Sequence, residues 1–359
     1  MKTDAPLDIL FLDSWFTDRA RGSGSAVAIS GLAGGLRSLG HRVTFLRPRL
    51  RFPSADLTRI AANVGFRTRV RPLVADLIVG FDFDGCFLRR VNAPYVVALK
   101  GVAADELRYE RGWDRARFRV LARLERRNAR KADRVVVTSE HSRGVATTEY
   151  GLAPGSVGVV PEGIDVEAWA GFARGSRAED AAPSIVSVAR QYRRKNTATL
   201  VRAMAVVRQA IPGARLTVVG DGPELPRLRM LVDSLELGET VALVGSLGSA
   251  DQVRAELIRA DVFCLPSRQE GFGIVFLEAM AAGLPIVAAD CGAVPETAPD
   301  GEVSILVAPD DVPGLAAALV RLLKDPGMRE RLTAGGERRW TRFGWPEVAA
   351  EFLSEVGFG

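Results

Sequence analysis

Long apolar runs are missing from this chain of 359 residues. Nowhere do about 18 apolar residues follow one another, which excludes a conventional membrane-crossing helix. Cysteine is scarce: Cys86, Cys264 and Cys291 are odd in number and widely spaced. They form neither a disulfide framework nor a zinc or redox pattern, and read as small buried residues in a reducing compartment. Histidine is scarcer, with only His41 and His141, and lysine supplies only five of the 48 basic residues. The chain starts Met1-Lys2-Thr3-Asp4 and runs straight into an apolar strand, Ile9–Leu12. It shows no apolar stretch with a small-residue cleavage site, so the expectation is a cytoplasmic protein without a signal peptide.

What is present points to a globular α/β protein. The length suits two domains better than one core. Hydrophobic residues make up 47% and glycines number 36, a turn-rich folded composition. The net charge of +5 hides an asymmetry. Residues 1–172 hold 27 Lys+Arg against 19 Asp+Glu, a net of +8, and residues 173–359 hold 21 against 24, a net of −3. A basic half beside a mildly acidic one implies different partners. An anionic acceptor or lipid surface met by the first half is one reading, and an ordinary solvated basic face is the other.

Short apolar runs alternate with helical periods, the pattern of parallel sheets covered by helices. Ile9–Leu12, Val43–Leu46, Leu77–Val79, Tyr95–Leu99, Val135–Thr138 and Gly158–Val160 are the strand candidates of the first half. A helix is expected from about Ser25 to Leu39, closed by Gly40, and an arginine-rich one from about Trp113 to Lys131. In the latter, Phe118, Leu121 and Leu124 recur at helical spacing and should face the core. The second half offers Ile185–Val188, Leu216–Val219, Ala242–Val244, Val262–Leu265 and Ile286–Ala288, with a last helix near Pro346–Val356. A Gly/Ala/Ser/Arg stretch before Pro183 reads as a linker. The expected organisation is residues 1–165, a linker over 166–183, a second domain over 184–343, and a final helix over 344–359 returning to the first.

The segment from Ser267 to Met280 carries the most chemistry. Glu270-Gly271-Phe272-Gly273-Ile274 follows the strand Val262–Leu265 and opens a helix that contains Glu278 and stops at Gly283-Leu284-Pro285. Glycines ahead of a helix start let backbone N–H groups approach a phosphate. Glu278 lies about 7 Å along the axis from Gly273, a phosphate-to-ribose distance, at about 1.5 Å per residue.

Here the chain resembles the family-4 glycosyltransferases, whose signature is two glutamates separated by seven residues, as Glu270 and Glu278 are. The resemblance runs from Glu270 to Pro285 and extends over nearly the whole chain. Gly22-Ser23-Gly24, Gly40-His41-Arg42-Val43, Thr138-Ser139-Glu140 and Val160-Pro161-Glu162-Gly163-Ile164-Asp165 match in order, with Glu162 where the family usually has Asn. Val188-Ala189-Arg190 with Lys195, and Val219-Gly220-Asp221-Gly222-Pro223, complete the pattern. The resemblance implies the GT-B fold: two Rossmann-like domains facing each other across a cleft, the C-terminal helix crossing back. It implies a retaining hexosyltransferase that moves sugar from a nucleotide-sugar, UDP- or GDP-linked, to a hydroxyl of a glycan or lipid-linked acceptor. The nucleotide-sugar is a co-substrate, and no cofactor or metal is expected.

By the same resemblance Arg190 and Lys195 grip the donor diphosphate, whose charge grows in the transition state. Glu278 holds the ribose and Glu270 the sugar hydroxyls, the backbone of Gly271, Phe272, Gly273 and Ile274 faces sugar and phosphate, and Gly24 approaches from the first domain. The family's histidine after the strand matching Tyr95–Leu99 is absent, and Leu99-Lys100-Gly101 stands there. Lys100 is therefore a catalytic candidate, with Asp84, Asp105 and His141 on the acceptor side. Asp82-Phe83-Asp84 has the Asp-x-Asp form of a metal motif, but it lies in the half away from the donor elements and reads as a strand-end loop near the acceptor. The basic helix and the Arg47–Phe52 run suit an anionic membrane, which adds peripheral contact at its inner face as an alternative to a purely cytoplasmic location. Nucleic acid is not an expected partner, because no aromatic-basic recognition face is present. A dinucleotide dehydrogenase fails on Val27 and Arg47, where a glycine and an acidic ribose ligand belong. A sugar-nucleotide epimerase or a phosphorylase on the same fold is the nearer alternative, and a basic nucleic-acid-binding protein a remote one.

Overall fold

The computed structural model describes residues 5–15, 24–70, 73–89, 91–170 and 182–358. Gly22 and Ser23 of the glycine loop, and residues 171–181 of the expected linker, lie outside them. The chain forms two compact units, residues 1–163 with 343–359, and residues 164–342. Residues 166–170, expected in the linker, form a short helix whose Trp169 is buried in the second unit.

In the first unit β1 (Asp8–Leu12), β2 (Arg42–Leu46), β3 (Leu77–Phe81), β4 (Tyr95–Ala98), β5 (Arg134–Val137) and β6 (Val157–Val159) form one sheet. Its order is β2-β1-β3-β4-β5-β6, parallel throughout. Side chains alternate along a strand, so Ile9 and Phe11 join one core and Leu10 and Leu12 the other. Both faces are apolar because helices cover both. Phe118, Leu121 and Leu124 of the helix Gly112–Ala129 do turn inward, onto Phe83 and Cys86.

The last helix, Trp345–Glu355, belongs to this unit and lies against the helix Gly24–Ser38. Two glycines make that contact. A Cβ on Gly31 would fall 1.9 Å from the Trp345 ring, and one on Gly35 would fall 2.1 Å from the Trp345 carbonyl. Val348, Ala349, Phe352 and Leu353 then complete the core that holds Phe11 and Phe81.

The second unit repeats the plan with β7 (Ser184–Val188), β8 (Arg215–Val219), β9 (Val241–Gly245), β10 (Val262–Leu265), β11 (Ile286–Ala289) and β12 (Ser304–Val307). Its order is β12-β11-β10-β7-β8-β9, again parallel. The chain goes outward from β7 through β8 to β9, then returns beside β7 with β10 and goes outward the other way. The reversal leaves a crevice at the carboxyl ends of β7 and β10, where ligands bind open α/β sheets. In the first unit the reversal falls between β1 and β3. Among the described residues no helix is long and apolar enough to cross a membrane.

Candidate active site

The β7–β10 switch point of the second unit collects most of the expected donor residues. Arg190 and Lys195 leave β7 on a loop that ends in a 3-10 turn, Arg193–Lys195. Glu270 leaves β10 on the facing loop. Lys195 Nζ lies 2.5 Å from Glu270 Oε1, and Ser267 Oγ donates to the same oxygen at 2.8 Å. The two loops are also stitched by backbone, Arg268 N to Arg194 O at 2.7 Å. Arg268 and Asn196 both reach Asp310, at 2.6 and 3.0 Å.

Glu270 is held from behind as well. Its carbonyl accepts from Ala293 N at 3.0 Å, and a Cβ on Gly292 would sit 2.4 Å from that carbonyl oxygen. Only glycine permits this approach, and its φ of +53° is left-handed. Thr297 Oγ1 donates to Phe272 O at 2.8 Å, while the Phe272 ring is buried. Gly273, at φ +86°, turns the chain into the helix Ile274–Ala281. The first N–H groups of such a helix lack intrahelical acceptors, and its positive end favours an anion.

Glu278 sits half-buried on that helix. Loss of water raises its carboxyl above the ordinary value, and the nearby Arg254 charge offsets part of that. Arg254, on the helix Ala250–Arg259, is paired with Asp251 and lies over the Trp169 ring at 5.5 Å. Among the described residues Arg190 has no carboxylate partner, and its guanidinium lies 5.7 Å from the Tyr192 ring. The geometry therefore offers one cation already neutralised, Lys195, and one that is not, Arg190.

The candidates of the first unit gather at the carboxyl ends of β3 to β6. Lys100 follows β4, and its Nζ lies 3.1 Å from Glu162 Oε2, which follows β6. Both side chains are at least nine-tenths buried. Burial pushes the Glu162 carboxyl upward, with the Lys100 charge opposing it. Asp105 and His141 meet as well, Oδ2 to Nε2 at 3.0 Å. Asp105 is buried and also pairs with Arg108, whereas His141 is about a third exposed. Gly24 opens its helix, and a Cβ there would meet no heavy atom within 4 Å among the described residues.

Asp84 does not behave as an acceptor contact. Its side chain is fully buried, and its oxygens accept from Ser14 N at 2.8 Å, Ser14 Oγ at 2.5 Å and Asn63 Nδ2 at 2.8 Å. It ties the loop after β3 to the loop after β1 and to the helix Ala55–Arg69. Asp82 stands beside it at a left-handed φ of +55°, accepting from Lys100 N at 2.9 Å and Trp15 Nε1 at 3.0 Å. Burial raises its carboxyl to about 6, against the Arg59 charge. Among the described residues no three His, Cys, Asp or Glu side chains converge as metal ligands would.

Sequence reasoning missed four residues of these sites. Ser267 and Gly292 fix Glu270, and Arg254 serves Glu278, none with a signal beyond its place in a loop or helix. Glu162 did have a signal, the departure from Asn, but its partner was invisible.

Doubly wound parallel sheets in two units, the second with cations and paired glutamates at its switch point, define a glycosyltransferase of the GT-B fold. Sucrose-phosphate synthase from Thermosynechococcus elongatus shares that fold at TM-score 0.80, with 22% identity over 96% of this chain and 97% of the other. Anabaena HepE, solved in complex with UDP and glucose, superposes at TM-score 0.74 with 19% identity, over 98% of this chain and 99% of the other. The family model described as Glycosyltransferase Family 4 matches residues 22–168, and that of Glycosyl transferases group 1 matches residues 173–339. The GDP-mannose-dependent alpha-(1-6)-phosphatidylinositol monomannoside mannosyltransferase of Mycobacterium tuberculosis is 32% identical over 266 residues, 70% of this chain and 68% of the relative. The chain belongs to family 4 of the glycosyltransferases and is a hexosyltransferase.

Proposed function

We propose that this enzyme transfers a mannosyl group from GDP-mannose to a hydroxyl of a lipid-linked acceptor, with retention and without a metal. The observation that carries the reading is Glu270, fixed by Lys195 and Ser267 at the β7–β10 switch point, eight residues before Glu278. The name of the mycobacterial relative supports the donor and the acceptor class.

In this reading Arg190 and the remaining N–H donors of Lys195 take the diphosphate, and Glu278 takes the ribose. As the bond from sugar C1 to the diphosphate breaks, charge grows on the leaving phosphate, and these fixed cations stabilise it. The acceptor oxygen enters on the same face, and its proton passes to the leaving phosphate. Glu270, with one oxygen held by an ammonium and a hydroxyl, is a poor nucleophile and a good anchor for sugar hydroxyls. On the acceptor side His141 and Lys100 are the candidate contacts, positioned by Asp105 and Glu162.

The first unit supports a membrane-bound acceptor. Trp113 and Val120 of the helix Gly112–Ala129 are exposed, as are Leu57 and Val64 of the helix Ala55–Arg69. Arg117 pairs with Asp56 and joins the two helices, while Arg115, Arg119 and Arg123 remain exposed. Apolar side chains among arginines are the composition of an interfacial surface on anionic lipid.

Calorimetric titration of GDP, UDP and ADP in EDTA tests the donor. Selective GDP binding, lost in Glu278→Ala and Lys195→Ala, is the expected result. Incubation with radiolabelled GDP-mannose and vesicles carrying phosphatidylinositol monomannoside should then label the lipid. Well-folded protein that binds no nucleotide, or that consumes GDP-mannose with no acceptor product, overturns the reading.

A further inference from the structure

On the second unit lies a concave pocket of about 140 Å³ whose lining includes none of Arg190, Lys195, Glu270 and Glu278. Tyr192 and Arg193 line it from the loop after β7, and Arg202 from the helix Thr197–Ala210. Arg227 and Glu224 line it from the start of the helix Leu225–Ser234, and Arg268 from the loop after β10. Four arginines thus line one concavity, and two of them are paired with carboxylates. Arg268 is paired with Asp310, and Arg227 Nη1 stands 3.6 Å from Glu224 Oε2. Among the described residues Arg193 and Arg202 have no carboxylate partner. Like charges gathered in a concavity raise the local concentration of counter-ions. Guanidinium forks match phosphate oxygens in pairs.

We propose that this pocket is a second anion site, taking the phosphate group of a small soluble molecule separate from the sugar donor. Lys195 Nζ is committed to Glu270, whereas Arg193, two residues earlier in the same 3-10 turn, lines the pocket. An anion seated there bears on the turn that carries Lys195. Its binding therefore alters the affinity of the donor site, and the donor alters its affinity by the same factor. The existence of the pocket site does not depend on the donor being GDP-mannose. Its link to the donor does rest on that reading of Lys195.

The test is titration calorimetry with inorganic phosphate, pyrophosphate and a hexose 6-phosphate, on protein alone and on protein saturated with GDP. Expected is binding that survives GDP saturation and the Lys195→Ala change, and that weakens by about tenfold or more in Arg202→Glu/Arg227→Glu. Arg202→Gln/Arg227→Gln, with circular dichroism of both, guards against loss of fold, and both should bind GDP. Binding displaced by GDP and lost in Lys195→Ala would place phosphate in the donor loop and overturn the proposal. So would absence of binding, or binding that the double variants leave intact and potassium chloride of equal ionic strength removes. Binding of phosphatidic acid vesicles without binding of the soluble phosphates would also overturn it. If GDP itself fails to bind, the donor reading falls, and the titrations of protein alone still decide the pocket.

Discussion

Lys195 and Glu270, 75 residues apart in sequence, meet at 2.5 Å between the loops after β7 and β10. A carboxylate and an ammonium this close share one task, and removing either releases the other. The two variants should therefore differ in kind. Lys195→Ala removes a diphosphate donor, weakening GDP binding and lowering turnover by about 10²–10³. Glu270→Ala should lower turnover comparably while leaving GDP affinity unchanged or tighter, because Lys195 loses its internal partner. Parallel loss of GDP affinity in both, measured by calorimetry and initial rates, would mean the pair is structural.

Glu278 is half-buried and held above the ordinary carboxylate value by loss of water. Glu278→Gln removes the charge from that setting and should leave thermal stability unchanged or improved. The same change should weaken GDP by about tenfold, through lost charge-assisted hydrogen bonds to the ribose. Deoxy-nucleotide lacking those hydroxyls should bind wild type and variant alike.

Asp82 gives the stability of the first unit an unusual pH slope. Its folded value of about 6 lies above the ordinary 3.8, so between those values the native state holds more protons than the unfolded one. Its contribution is complete below 3.8 and is lost as pH rises through about 6, up to about 3 kcal/mol. Asp13, Asp84 and Glu162 are raised by burial and act with the same sign. Urea unfolding should show a first unit more stable near pH 5 than near pH 7. Asp82→Asn, which tolerates the left-handed backbone, should flatten that slope.

Neighbouring glycines of one helix should respond oppositely. Gly35→Ala drives a Cβ to 2.1 Å from the Trp345 carbonyl and should cost about 1–3 kcal/mol by overpacking. Gly34→Ala meets no atom within 4 Å and should gain up to about 1 kcal/mol of helix propensity. Equal melting shifts for the two would contradict the packing of the last helix.

Vesicle flotation tests the exposed arginine and apolar face. Arg115→Gln/Arg119→Gln/Arg123→Gln should reduce partition onto anionic vesicles by about 10²-fold, at about 1 kcal/mol per arginine. Salt should do the same, and neutral vesicles should bind weakly at any salt.

Much of the fold was legible because its signals are local. The six strands of the first sheet and five of the second stand where short apolar runs predict them. β12, Ser304–Val307, escaped although Ile305-Leu306-Val307 is apolar: it is an edge strand, half-exposed, and a run of three such residues does not by itself tell a strand from the loops around it. The helix Ala55–Arg69 escaped because two of its larger apolar residues, Leu57 and Val64, face solvent and blur the helical stripe. Asp84 was misjudged for a different reason: a carboxylate in a loop looks available in sequence, and only the fold delivered Ser14 and Asn63 to its oxygens.

The amino-acid order alone determined the alternation of strands and helices, the glycine-led helix start at Gly273, and the spacing of Glu270 and Glu278 on one loop and helix. These depend on backbone preferences and on periodicity within about a dozen residues. Tertiary structure decided which charges are neutralised: Lys195 by Glu270, Lys100 by Glu162, and neither Arg190 nor Arg202 by any carboxylate among the described residues. Partners separated by 62 and 75 residues leave no local trace, since the sheet order that joins them is fixed only when both faces of each strand are buried at once.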